Sequence, residues 1–284
     1  MDTANEKELE GSVSGMKFLF LGGGNMASAL ISGLLKQDVV AGDILVLDVS
    51  DVALDNMKKI GVQATDPSGD INFEPDVVVL AVKPQHLEEA LSPLSAMFSK
   101  SLVISIVAGV SIRSISTWLS GHSRIIRVMP NTPALIQSGI SGMYGEQVTE
   151  ADRVVAEKVV GAVGRFIWCD EEQMIDVVTA ISGSGPAYVF YFIEALEASG
   201  IELGLTSEAA RLLAIETFLG ASRLAARSDE SPSILREKVT SKGGTTAAAL
   251  ASLNQDEVAA RIKQAVTQAK NRATELAGQF GGEH

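Results

Sequence analysis

An α/β protein is predicted, with an N-terminal doubly wound parallel sheet followed by an all-helical C-terminal domain, and three observations predict it. Short Val/Ile/Leu-rich runs alternate with helical patterns up to about residue 170. Most of these runs lack inside/outside alternation, as strands covered on both faces should. Beyond that point the strand signal ends and helical periodicity alone continues.

The candidate strands are 17–21, 44–47, 77–82, 102–107 and 125–129, with helical stretches such as 26–36 and 87–98 between them. Repeated strand–helix–strand order gives a parallel sheet with helices on both faces. A hairpin-like pair around 141–144 and 166–169 extends it. Further on, Ser182-Gly183-Ser184-Gly185-Pro186 marks a break, with proline where a helix start tolerates it. The helices expected after it are 186–203, 207–226 and 256–277. The stretch 187–196 is apolar almost all round, so either its own domain or a partner subunit must cover it, and homodimerisation is expected there.

The 284 residues suffice for one large or two ordinary domains. We read 1–15 as a polar, disordered tail, 16–169 as the domain of the parallel sheet and 170–284 as the helical domain. The tail lacks the basic start and apolar stretch of a signal peptide. With 23 basic and 35 acidic side chains, the formal charge of −12 argues against a nucleic-acid partner. No apolar run reaches the length of a membrane span. Cys169 is the single cysteine, so no disulfide forms within the chain, and a reducing cytoplasm is the expected compartment. Three scattered histidines give no expected metal site.

The first strand runs into Gly22-Gly23-Gly24-Asn25-Met26-Ala27. Gly22 permits a tight turn, Gly24 lets backbone approach a pyrophosphate, and Ala27 is the small residue for close helix–strand packing. The glycines alone also suit an ordinary turn; their place at the first strand–helix unit favours a nucleotide. Asp48 ends the second strand, where an acid holds the ribose hydroxyls of NAD and repels the extra phosphate of NADP, or else caps a turn. Ser50, just beyond, offers a donor to a 2′-phosphate, so NADH and NADPH both stay open. Ala81, Val82, Lys83 and Pro84 follow one strand and Ala108 and Gly109 another. Lys83 reads equally as a solvated loop cation. The Met129-Pro130-Asn131-Thr132-Pro133 loop carries Asn131 either as a wall beside the nicotinamide or as structure.

A second glycine loop, Val239-Thr240-Ser241-Lys242-Gly243-Gly244-Thr245-Thr246, opens directly onto a helix. Its hydroxyls and the unpartnered first N–H groups of that helix suit a small anion. Since the other loop takes the cofactor, this one is free for substrate. His86 and His122 read as structural residues, and no strong base stands in the loop. A substrate that is already an imine needs no strong base, since its nitrogen carries the positive charge itself.

Five collinear motifs spanning about residues 16–277 resemble pyrroline-5-carboxylate reductase. They are Gly22-Gly23-Gly24-Asn25-Met26, Ala81-Val82-Lys83-Pro84-Gln85, Met129-Pro130-Asn131-Thr132-Pro133-Ala134, Ser182-Gly183-Ser184-Gly185-Pro186-Ala187-Tyr188 and the loop ending at Thr246. The resemblance implies a Rossmann domain, a helical dimerisation domain and reduction of 1-pyrroline-5-carboxylate to L-proline by NADPH or NADH, the last step of proline biosynthesis. It implies dimers, often assembled to a decamer. It also implies that Ser241 and the N–H groups of Gly244, Thr245 and Thr246 hold the substrate carboxylate. The Thr246 hydroxyl would bond the ring nitrogen. Lys242 departs from the proline common at its position, and Asp48-Val49 departs from the Asn-Arg or other polar pair common among NADP-preferring members. The alternatives are another two-domain reductase of the 3-hydroxyacid dehydrogenase-like type, with Lys238 or Lys242 as acid/base, and a dinucleotide-sensing module.

Overall fold

The computed structural model describes residues 13–69 and 71–280. They form two compact units. One takes in the described residues up to Ser184 together with those from Ala269 onward; the other is Gly185–Gln268.

The first unit is built on an eight-stranded sheet. In chain order its elements are β1 (Phe18–Leu21), α1 (Asn25–Leu34), β2 (Ile44–Leu47), α2 (Asp51–Ile60), β3 (Gln63–Thr65), β4 (Val77–Leu80) and α3 (Leu87–Leu91). Next come β5 (Leu102–Ser105), α4 (Ile112–Trp118), β6 (Ile125–Met129), β7 (Gly139–Tyr144), α5 (Glu150–Gly161), β8 (Gly164–Trp168) and α6 (Met174–Val178). The strand order is β3-β2-β1-β4-β5-β6-β7-β8. All neighbours run parallel except β6 and β7. The order reverses between β1 and β4, which is where open α/β sheets bind ligands.

Burial explains why the strands read as unbroken apolar runs. Phe18 and Phe20 pack into one core layer with Leu30, Ile31 and Leu34 of α1. Leu19 and Leu21, one residue out of phase, pack into the opposite layer with Leu87, Leu91 and Ile115 of α3 and α4. Val77 and Val79 likewise face the first layer, and Val78 and Leu80 the second. Val13, placed by sequence in the polar tail, is buried in the first layer; residues 1–12 of that tail lie outside the described residues.

Two sequence expectations are corrected, and one strand without an expectation is added. The pair at 141–144 and 166–169 is no hairpin: β7 and β8 pair in parallel, with Gly139 opposite Gly164, because α5 forms the crossover between them. The expected helix at 87–98 ends as α3 at Leu91 and tightens into a 3₁₀ turn over Ser92–Leu94. Pro93 lies in that turn, where its ring and missing N–H oppose a continued helix. The edge strand β3, three residues long and without a buried side chain, had no apolar signature.

Two charged groups tie the sheet to its surroundings. Arg127 of β6, 5% exposed at its side chain, donates to Glu172 at 3.1 Å and Asp176 at 3.4 Å. Glu172 also accepts the N–H of Ile112 at 2.8 Å, and Asp176 accepts the hydroxyl of Thr274 at 3.0 Å. Asp152 closes a capping box with Thr149 at the start of α5 and accepts from Arg124 Nη2 at 2.6 Å.

The second unit is helical: α7 (Gly185–Glu202), α8 (Ser207–Ala226), α9 (Pro232–Lys238), α10 (Thr245–Gln255) and the first half of α11 (Val258–Phe280). The expected break before Pro186 is a π-turn over Thr179–Gly183 that leads into α7. Helices α7 and α8 pack together, with the rings of Phe192 and Phe218 stacked 6.5 Å apart. No residue of α7 is buried; Phe190 is 64% and Tyr191 69% exposed.

Asp152 supplies a test of the sheet unit. Burial alone would raise its carboxyl pKa, but the bonds from Arg124 and Thr149 outweigh that and hold it below the ordinary carboxylate value. A lowered folded pKa stabilises fully above the unfolded value, and the gain is lost as pH falls through the folded one. Asp152→Asn should therefore lose stability at neutral pH and show a shallower decline in acid. Urea unfolding followed by tryptophan fluorescence reads this unit, because Trp118 and Trp168 are the chain's two tryptophans.

Candidate active site

Strand β1 delivers the chain into a turn that only glycine can make. Gly22 has φ +106°, and a Cβ there would lie 2.7 Å from both the carbonyl carbon and oxygen of Ala81. Its N–H donates to Leu47 O at 2.8 Å, while Ala81 N–H donates to Leu21 O at 2.8 Å. The ends of β2 and β4 thus close on this residue from both sides. Gly23 follows with its N–H on Asp48 Oδ2 at 2.7 Å.

Gly24 differs. Its φ of −72° suits any residue, and a Cβ there would meet nothing within 4 Å. The chain itself gives no reason for glycine at this point; a ligand lying against the backbone would. Gly24 caps α1 with no side chain, and the first turn of α1 carries no acid. The helix therefore begins with N–H groups that no side-chain cap engages, the arrangement that receives phosphate. Asn25 is exposed and Met26 half-buried beside it, and Ala27 is fully buried against the sheet.

The remaining predicted cofactor residues lie on loops leaving the same C-terminal strand ends. After β2, Asp48 Oδ1 accepts the N–H of Ser50 at 2.8 Å, and Ser50 Oγ caps α2 by accepting from Ala53 N. After β4, Ala81, Val82 and Pro84 are half-buried and Lys83 is exposed. After β5, Ala108 is exposed and Gly109 turns with φ +72°. After β6, Asn131 is buried, and its Oδ1 accepts the N–H of Ile140 at 3.0 Å.

Sequence reasoning missed two contributors. Gly23 anchors Asp48, a role that the middle glycine of three could have suggested. Glu172 holds Ile112, just beyond the Gly109 turn, and nothing near it in sequence signals that. His122 takes no part: it precedes the N-terminal end of β6, and burial pushes its pKa down toward the neutral imidazole.

The second loop lies in the helical unit. After α9, Thr240 Oγ1 donates to Arg236 O at 2.6 Å. Gly243 turns the chain with φ +73°. Gly244 N–H donates to Ser241 O at 3.1 Å, and a Cβ on Gly244 would stand 2.6 Å from Ser241 Oγ. Gly244 then starts α10 with no side-chain cap and no acid in the first turn, where Thr245 and Thr246 sit. Thr246 is half-buried; Ser241, Lys242 and Thr245 are exposed. Helices α2, α5 and α8 are by contrast capped by Ser50, Thr149 and Thr206. Lys238 is engaged with both oxygens of Glu230, at 2.6 and 2.7 Å.

The two glycines of the first loop should respond differently to a methyl group. Gly22→Ala should destabilise the sheet unit by about 1–3 kcal/mol from backbone strain alone. Gly24→Ala should cost less, up to about 1 kcal/mol for the weaker N-cap, and weaken dinucleotide binding by about tenfold or more, since the methyl occupies the ligand's approach. Chemical denaturation and dinucleotide titration of both variants check this.

A family model described as pyrroline-5-carboxylate reductase dimerisation matches residues 172–276, and one described as NADP oxidoreductase coenzyme F420-dependent matches residues 17–109. A pyrroline-5-carboxylate reductase of Arabidopsis thaliana is 37% identical over 261 residues, covering 90% of this chain and 94% of the relative. Among solved structures, that of a pyrroline-5-carboxylate reductase from Coxiella burnetii superposes with a TM-score of 0.85 at 40% identity, covering 92% of this chain and 98% of that one. The Plasmodium falciparum enzyme, solved with NADP bound, gives 0.82 at 28% identity over 93% of this chain and 98% of its own. The corresponding enzyme of Pseudomonas aeruginosa is 40% identical over 273 residues, 93% of this chain and 98% of the relative, and on that likeness the chain belongs to the pyrroline-5-carboxylate reductase family.

Proposed function

We infer that this protein reduces 1-pyrroline-5-carboxylate to L-proline with NAD(P)H, as the last step of proline biosynthesis. The observation that carries the site assignment is the pair of glycine-capped helix starts. Helices α1 and α10 each have a glycine N-cap, Gly24 and Gly244, with no side-chain cap bond and no acid in the first turn. The sheet unit's start at Gly24 suits a pyrophosphate and the helical unit's start at Gly244 suits a carboxylate, because each leaves backbone N–H groups for an anion.

The cofactor residues are Gly22, Gly24, Asn25, Met26, Asp48, Ser50, Ala81, Val82, Lys83, Pro84, Ala108, Gly109 and Asn131. The fit rests on the cradle at Gly24 and on the close backbone approach at Gly22. Bound there, the dihydronicotinamide supplies the hydride. Ser241 and the N–H groups of Thr245 and Thr246 hold the substrate carboxylate, and the Thr246 hydroxyl bonds the ring nitrogen; the Gly244 N–H, expected from sequence to join them, is instead engaged by Ser241 O at 3.1 Å and shapes the loop. The positive end of α10 offsets the carboxylate charge. A cationic imine then needs orientation and a hydrogen bond rather than a strong base. That removes the need for a catalytic lysine, and Lys238 is already held by Glu230.

The helical unit serves as a dimerisation surface. Phe190, Tyr191, Leu212 and Leu213 are each more than half exposed, more apolar surface than a lone chain leaves bare without use. Dimers assembling further to a decamer, and residence in the cytoplasm, complete the reading. Among the described residues no helix is long and apolar enough to cross a membrane. We place the boundary between the dinucleotide and helical domains near residue 170, with the end of α11 returning to the sheet unit.

The purified protein should oxidise NAD(P)H only when 1-pyrroline-5-carboxylate is supplied, followed at the nicotinamide absorbance. Thr246→Val should lower kcat/KM by about ten- to a hundredfold, the worth of a hydrogen bond to a charged group. Lys242→Ala should stay within about twofold, as expected of an exposed cation. Unchanged turnover in Thr246→Val together with loss in Lys242→Ala would instead favour the dehydrogenase-like alternative.

A further inference from the structure

We propose that Asp48 makes this enzyme selective for NADH by holding a fixed negative charge where NADPH carries its 2′-phosphate. The proposal rests on the reading of the Gly22–Gly24 loop as the dinucleotide site. The Asp48 carboxylate is pinned from two directions, Oδ2 by the N–H of Gly23 at 2.7 Å and Oδ1 by the N–H of Ser50 at 2.8 Å. It cannot turn away from the glycine loop without giving up both bonds.

Each carboxylate oxygen has two acceptor directions. One backbone bond apiece therefore leaves each oxygen able to accept from a ribose hydroxyl. A 2′-phosphate offers the same oxygens little but like charge, about −1.5 to −2 at neutral pH.

No cation follows Asp48 along the chain until the last turn of α2. From Asp48 to Met57 the charged residues are Asp48, Asp51 and Asp55, all acidic. Lys58 and Lys59 come only in the last turn of α2. At 1.5 Å rise per residue they stand about 10 Å along the helix from its start, beyond the screening length at physiological salt. The α2 N-terminus, otherwise a natural phosphate receptor, already carries Asp51 in its first turn and a Ser50 cap. Val49 and Val52, 80% and 71% exposed, present apolar surface where a guanidinium would be needed. Lys83 leaves β4, which lies across β1 from β2. Two strand spacings, about 10 Å, separate the end of β4 from the end of β2.

The test is equilibrium titration of NADH and NADPH against the full-length protein, read by nicotinamide fluorescence, with steady-state reduction of 1-pyrroline-5-carboxylate in parallel. NADH should bind at least about tenfold more tightly, as expected for unscreened like charges at close range. Asp48→Asn should narrow that ratio. Val49→Arg leaves both Asp48 bonds in place and should strengthen NADPH binding by about fivefold or more with NADH little changed. Equal or tighter NADPH binding by the unaltered protein overturns the proposal, as does a Val49→Arg variant that binds NADPH no better. Reduction that runs faster with NADPH would leave the catalysed reaction standing and remove only the selectivity. Selective NADH binding without any reduction would do the reverse.

Discussion

The contact of Gly22 with the backbone of Ala81 is the constraint on which the nucleotide end of this protein depends. Three strands finish within a few ångströms of it: β1 passes into it, β2 receives its N–H at Leu47, and β4 returns an N–H to Leu21. The absence of a Cβ lets the chain turn there with φ +106° and start α1 at the switch point of the sheet. Gly23 then fixes Asp48, and Gly24 opens the helix to a ligand. The glycines thus differ in what they do: Gly22 avoids the Ala81 backbone, Gly23 fits where a Cβ would stand 3.2 Å from Val46 Cγ1, and Gly24 leaves room for a ligand.

Much of the fold was legible because its strands are covered on both faces. Phe18-Leu19-Phe20-Leu21 has no alternation to hide it, and β2 and β6 fall where the apolar runs place them. What was not legible had weak or ambiguous patterning. The edge strand β3 buries no side chain, and β8 alternates between exposed and half-buried residues. Its spacing from β7 suggests a hairpin, whereas the Thr149–Asp152 capping box marks the helix that lies between them. In α7, apolarity showed that a cover was needed; only the structure shows that the chain's own described residues do not provide it.

The site divides in the same way. Local motifs exposed the two glycine loops, because a glycine next to a helix start has a direct geometric meaning. Long-range partners were invisible. Nothing in the sequence near Asn131 says that Ile140 holds its oxygen, and nothing near Arg127 names Glu172 and Asp176, some 45 and 49 residues away. That buried ion network reaches Ile112 on one side and Thr274 on the other. A buried arginine with two acids is costly to break once formed, because either partner left alone keeps an uncompensated charge. Lys242 is an exposed cation with no bonded partner among the described residues.

The central claim is a division of labour between two uncapped helix starts, one for the cofactor pyrophosphate and one for the substrate carboxylate. Backbone amide shifts of isotope-labelled protein, titrated separately with NADH and with L-proline, test it most directly. NADH should move Gly24, Asn25 and Met26 most strongly, and L-proline should move Gly244, Thr245 and Thr246. L-proline that leaves those last three amides in place, or NADH that leaves the first three in place, would contradict the account.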